Sequence, residues 1–115
     1  MTKKTNPRRA KAARERIAKM RASVAEMDLL CSGTLLERMM KCGKPNCPCA
    51  TDPAARHGPY YQWGRMRGGK LVHRLVTAQQ AQELRQAITN YHKLRKLLLS
   101  WELESEALID TSEPN

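Results

Sequence analysis

Between Lys41 and Tyr61 the chain reads KCGKPNCPCATDPAARHGPYY, which sets Cys42, Cys47, Cys49 and His57 in the pattern C-x4-C-x-C-x7-H. This stretch constrains the fold more than any other, because the chain has little else from which to build a core. Its 115 residues include no Phe, two Trp and three Tyr. Many of the apolar residues are Ala, Leu and Met. A chain of this length is most simply one domain with tails. Small domains with thin cores commonly depend on a metal, disulfides or a partner chain. Composition therefore favours a staple before any motif is weighed.

Three thiols and an imidazole are the donor set of a structural Zn2+ site, which takes four ligands tetrahedrally from short loops. The local sequence suits such a loop. Gly43 permits unusual backbone angles, Pro45 fixes one angle and withholds an N–H, and Pro48 stiffens the approach to Cys49. Four protein ligands leave no open position, so the metal would be structural rather than catalytic. The spacing is not that of paired CxxC knuckles, and two alternatives stand beside zinc: a disulfide or thiol redox centre, and packed free cysteines. Cys31 lies apart and reads as a small buried apolar residue. His73 and His92 read as structural or surface residues.

Catalysis finds no support. A zinc deaminase needs H-x-E with P-C-x-x-C, and the chain has neither that spacing nor the upstream Glu. It also lacks a nucleophile elbow, a P-loop and a paired-carboxylate centre. A non-enzymatic protein is expected.

The charge is strongly basic, with 21 Lys and Arg against 11 Asp and Glu. Residues 1–21 hold nine of the basic groups and one acid, Glu15, whereas residues 102–115 hold five acids and no base. Such a field attracts polyanions, of which nucleic acid is the commonest in a cell. A merely soluble basic protein and an anionic membrane surface are the other readings of the same charge. The basic N-terminus has no apolar run behind it, so it is not a secretory signal. No stretch of about 20 apolar residues would span a membrane. A cytoplasmic protein with reduced thiols is the expectation, which favours metal over disulfide.

The pattern along the chain predicts an α+β fold: an N-terminal amphipathic helix, a small zinc-stabilised antiparallel sheet of two or three strands, and a long C-terminal helix. Asn6-Pro7 is an N-cap followed by proline at the first helical position. From there Ile17, Met20, Val24 and Met27 form an apolar stripe, with Gly33 as the stop. The first dozen residues carry nothing apolar to anchor them and are expected to fray. TLLERMMKC reads as a strand into the Cys loop, although Thr34 and Glu37 could also cap a short helix. Gly68-Gly69 is a two-residue hairpin turn that pairs Arg67 with Lys70, Arg65 with Val72, Trp63 with Arg74 and Tyr61 with Val76. Those eight side chains share one face, basic with aromatics interleaved. The other face carries Tyr60, Met66, Leu71 and Leu75, with His73, and reads as core. Thr77 and Gln80 form a capping box for a helix of about 48 Å. Its stripe runs Ala81, Leu84, Ile88, Tyr91, then Leu94, Leu98, Trp101, Ser105 and Leu108, and slips at Tyr91–Leu94. A helix that long must also pack on the first helix or on a second copy. The expected division is a basic helix over 1–31, the zinc-loop, hairpin and long-helix domain over 32–110, and a disordered tail over 111–115.

The stretches SGTLLERMMKCGKPNCPCA and HGPYYQWGRMRGGKLVHRLVTAQQAQELRQAITNYHKLRKLL resemble a family of small uncharacterised bacterial and archaeal proteins, a domain of unknown function often met near transposases. The resemblance runs from Ser32 to Leu98. It rests on Cys42, Gly43, Lys44, Pro45, Cys47 and Cys49, then on His57, Gly58, Pro59, Tyr60 and Tyr61, and on Tyr91, Leu94 and Arg95. Cys31 and the basic N-terminal helix lie outside its pattern. It implies the same unit and a setting beside mobile genetic elements, but no activity.

Two functions compete. In the first, the chain is a zinc-binding, nucleic-acid-binding accessory protein, for DNA more than RNA. Tyr61, Trp63, Arg65, Arg67, Lys70 and Arg74 would read or stack on the nucleic acid, unless that face packs on a helix with its arginines at the rim. Lys3, Lys4, Arg8, Arg9, Lys11, Arg14 and Arg16 would hold phosphates. In the second, it is a dimeric scaffold that docks a transposase or recombinase through Ile17, Met20, Val24, Leu84, Ile88, Tyr91, Leu94, Leu98 and Trp101.

Overall fold

A computed structural model describes residues 6–111. Helix α1 (Pro7–Ala25) is followed by strand β1 (Thr34–Met40), two single 3-10 turns, strands β2 (His57–Arg67) and β3 (Lys70–Val76), and helix α2 (Ala78–Asp110). The α+β class and the order of elements are as expected. The chain forms two compact units: residues 29–89, and the described residues up to Asp28 with those from Asn90 onward. The break between residues 89 and 90 falls within the range of α2. No helix among the described residues is long and apolar enough to cross a membrane.

In the unit of residues 29–89, the hairpin has the register that Gly68-Gly69 dictates, with Arg67 opposite Lys70, Trp63 opposite Arg74 and Tyr61 opposite Val76. β1 joins as the third strand, antiparallel to β2, giving the order β1-β2-β3. Its last residues bulge between Arg38 and Met40, where the chain leaves for the Cys loop. Gly33 precedes β1 at φ +109, and a Cβ there would run into the Gly64 carbonyl oxygen and the Trp63 indole, so this position needs glycine. The capping box closes reciprocally: the Gln80 side chain accepts from the Thr77 N–H at 2.9 Å, and the Thr77 hydroxyl accepts from the Gln80 N–H at 3.1 Å.

Which face of the sheet is covered differs from the expectation. Met66 is 62 % exposed, Leu71 61 % and Leu75 53 %, while Tyr61, Trp63 and Arg65 are half-buried. The first turns of α2 lie over the aromatic face. Ala81, Leu84 and Ala87 are buried there, and Arg85 places its guanidinium 5.5 Å from the Tyr61 ring. Leu84 and Ala87 line the same cavity as Trp63 and Arg74. The Arg65 side chain lies along the Trp63 ring, its guanidinium carbon 4.0 Å from the centroid, while Arg67 and Arg74 are exposed. The packed alternative for this face is therefore the one the fold adopts, and His73 sits on the open face with its ring against Gly64.

In the helical unit, Asn6 caps α1 by accepting from the N–H groups of Arg8 and Arg9 at 3.1 and 3.3 Å. α1 is helical from Pro7 and ends at Ala25 with Glu26 as its cap, eight residues before Gly33. In the unit of residues 29–89, the Cys31 N–H donates to the Ala87 carbonyl at 3.3 Å. α1 and the second half of α2 run antiparallel, since Arg9 and Ala10 share a hollow with Leu108 and Thr111 while Arg16 meets Glu104. Ile17, Met20 and Val24 are half-buried, as are Tyr91, Leu94 and Trp101; Leu98 is 49 % exposed, and Leu97 takes its inward place. A step of three rather than four after Leu94 brings residue 97 to the inner side. Lys3, Lys4 and residues 112–115 lie outside the described residues.

Candidate metal centre

Each donor of the Cys–His cluster is delivered by a different local device. Cys42 follows the β1 bulge, and the turn closed by the Cys47 N–H to the Lys44 carbonyl, 3.2 Å, brings Cys47 back beside it. Pro48 opens the 3-10 turn that carries Cys49 inward, where it is fully buried. A second 3-10 turn, capped by the Asp52 side chain on the Ala54 N–H at 3.0 Å, returns the chain to His57 at the start of β2. The four ligand atoms all lie within 4.8 Å of one another. Cys42 Sγ and Cys49 Sγ are 3.5 Å apart, and Cys47 Sγ lies 3.3 Å from His57 Nε2. A tetrahedral ion with bonds of about 2.3 Å to sulfur and about 2.05 Å to nitrogen sets its ligands about 3.8 Å apart for two sulfurs and about 3.5 Å for sulfur and nitrogen. The cluster fits that shape, and these residues could hold a metal ion.

The thiols are already unequal. The Cys42 N–H donates to Cys49 Sγ at 3.4 Å. This backbone hydrogen bond is the main cause drawing the Cys49 thiol below its ordinary value, against the opposing effect of burial. Cys47 moves the other way. The backbone of Cys49 favours its thiolate, but the side chain of Cys49, the loss of solvent and the nearby Cys42 together outweigh that help. Three sulfurs this close resist joint ionisation through mutual repulsion. A divalent cation reverses that balance, because it neutralises two of the three charges and takes cysteine sulfur as thiolate rather than thiol.

The other residues singled out from the sequence are dispersed. Trp63 is tied down, its indole N–H donating to the Ser32 carbonyl at 2.9 Å. Arg65 stacks on the same ring, its guanidinium carbon 4.0 Å from the ring centroid. Its Nη1 is buried without a hydrogen-bond partner, so the ring face is its main compensation. Arg67, Lys70 and Arg74 are exposed, as are Arg8, Arg9, Lys11 and Arg14. Arg16 is exposed but engaged by Glu104 through two hydrogen bonds of 2.7 and 3.0 Å. Cys31 is half-buried and lines the cavity beside Trp63. His92 is exposed and meets Tyr91 edge-on at 6.0 Å.

Missed in the sequence is a second group of cations beside the metal cluster. Arg38, Lys41 and Arg56 line one shallow hollow with Met39 and Met40. A local signal for two of them exists, since Lys41 immediately precedes Cys42 and Arg56 immediately precedes His57.

Fold and site together define a small α+β domain with a three-stranded sheet and a Cys3His cluster suited to a metal ion. The chain belongs to the family described as Domain of unknown function (DUF6788), whose family model matches residues 8–86. The match begins in α1, so the basic helix lies within the family's domain rather than outside its pattern, and Tyr91, Leu94 and Arg95 lie beyond the matched residues. No curated protein and no solved structure matches the chain.

Proposed function

We propose that this protein is a small, non-enzymatic, zinc-stabilised accessory protein that binds nucleic acid. DNA is the preferred form, and the setting is the bacterial or archaeal cytoplasm beside the transposase or recombinase of a mobile genetic element. Zinc is the ion that three thiolates and one imidazole in a closed tetrahedral set select.

The observation that carries nucleic-acid binding is the placement of cations on α1. Arg8, Arg9, Lys11 and Arg14 are exposed in its first two turns, and no acid occupies the first turn. Cations near a helix N-terminus oppose the helix dipole, at about 0.3–1 kcal/mol each. They do not serve the helix, and phosphates are the ligand they suit. Arg67 and Lys70 add exposed charge on either side of the Gly68-Gly69 turn. A two-stranded ribbon can enter the major groove of DNA but not the deep, narrow one of duplex RNA.

Fluorescence anisotropy of the full chain on a DNA duplex tests this. Binding should weaken steeply with salt, and replacing Arg8, Arg9, Lys11 and Arg14 by Gln should reduce the slope of log Kd against log salt by about three to four. No binding to duplex at low salt would overturn it. For zinc, protein purified without added metal should hold about one equivalent per chain; an intact sheet with no bound metal would refute that assignment. A docking role is the second reading, favoured by Leu98, Leu99, Leu103 and Ile109, which stand 49 to 72 % exposed along α2. A homodimer whose duplex affinity ignores the α1 substitutions would favour it.

A further inference from the structure

We infer that Arg38, Lys41 and Arg56 form a phosphate-binding site that the metal centre assembles; this rests on the nucleic-acid reading and names a second contact surface for it. The three side chains come from separate places in the chain, namely the middle of β1, the residue before the first metal ligand and the residue before the last. They nevertheless line one hollow of about 230 Å3, together with Met39 and Met40 and with no acidic residue.

Three like charges brought to one hollow repel, and the fold offers them no carboxylate there. Arg38 donates one N–H to the Gln62 side-chain oxygen at 2.9 Å, which fixes the guanidinium without neutralising it. The loaded metal centre would carry one net negative charge, from three thiolates and a dication, so it offsets one cation and leaves the rest. A phosphodiester supplies the missing anion, and a guanidinium fork is shaped to receive its oxygens.

The metal's part is geometric. Cys42 and His57 are 15 positions apart in sequence but their ligand atoms belong to one cluster. Holding both in one coordination sphere holds Lys41 and Arg56 together, so an interaction that fixes the loop also builds the anion site. Two exposed apolar side chains of the sheet, Leu36 at 49 % and Tyr60 at 38 %, flank Arg38 in the strand pairing. Tyr60 lies opposite Arg38 across the ladder and gives an aromatic surface beside the charge.

The test compares the zinc-loaded full chain with K41Q/R56Q on a mixed-sequence DNA duplex, read by anisotropy across a salt series. Cobalt substitution provides a visible absorption band that reports an intact centre in the variant. Losing two phosphate contacts should reduce the salt slope by about two and weaken binding by about tenfold at moderate salt. K41R/R56K should retain both slope and affinity, and chelation should reproduce the loss in the unsubstituted chain. Unchanged affinity and slope in K41Q/R56Q, with the α1 substitutions still damaging, would overturn this site and leave the proposed function standing. If the unsubstituted chain binds no duplex, the proposed function fails instead, and titration with pyrophosphate decides the site. Amide shifts at Lys41 and Arg56 that vanish in K41Q/R56Q support a site for free phosphates; no shifts there overturn it.

Discussion

The two faces of the sheet are made of different materials, and the less apolar one is covered. Tyr61, Trp63 and Arg65 lie half-buried under α2, while Met66, Leu71 and Leu75 on the opposite side stand more than half exposed. Hydrophobicity summed along a strand favours the second set as core. The covered set wins because α2 brings a buried row of Ala81, Leu84 and Ala87 to it, and Leu84 and Ala87 line one cavity with Trp63. The indole N–H also finds the Ser32 carbonyl, so its one polar atom is satisfied. A face is core when something packs on it, and aromatic and arginine side chains can line a buried interface as well as an exposed one.

Substitutions on the two faces should therefore behave oppositely, and the largest effect belongs to the covered one. Trp63→Ala removes the ring that lies under α2 and strands the Arg65 guanidinium, and is expected to cost about 3 kcal/mol in chemical denaturation. A loss below about 1 kcal/mol would mean that α2 does not cover this face. On the open face, Met66→Ser with Leu71→Ser should change stability by less than about 0.5 kcal/mol. The same pair should raise solubility, since it breaks an exposed apolar patch. A large destabilisation there would show that the open face is buried in the folded protein.

The smallest effect lies in the helical unit and gives the scale of a purely surface contact. Arg16 holds the Glu104 carboxyl below its ordinary value of 4.5, mainly through the side-chain hydrogen bond and against partial desolvation. A carboxylate whose folded value is depressed stabilises the fold above its unfolded value and loses that contribution as pH falls through the folded one. Glu104→Gln should therefore lower Tm by no more than about 2 °C near neutral pH. The gap between the two proteins should narrow as pH falls below the ordinary carboxylate range.

Sequence by itself determined what depends on neighbours along the chain. The Gly68-Gly69 turn fixed the hairpin register, Thr77 and Gln80 fixed the start of α2, and Asn6-Pro7 fixed the start of α1. Each follows from backbone geometry within four residues, which no distant contact needs to supply. The four residues that could hold a metal ion were legible for the same reason, because donor chemistry and loop spacing are local properties. Tertiary structure alone decided the rest. It chose the covered face of the sheet, since side-chain alternation names two faces but not which one a helix will meet. It ended α1 at Ala25, eight residues before Gly33, with the Glu26 N–H closing on the Ala22 carbonyl. It turned Leu97 inward in place of Leu98. And it gathered Arg38 with Lys41 and Arg56, since cations repel and only a folded loop holds them at one hollow.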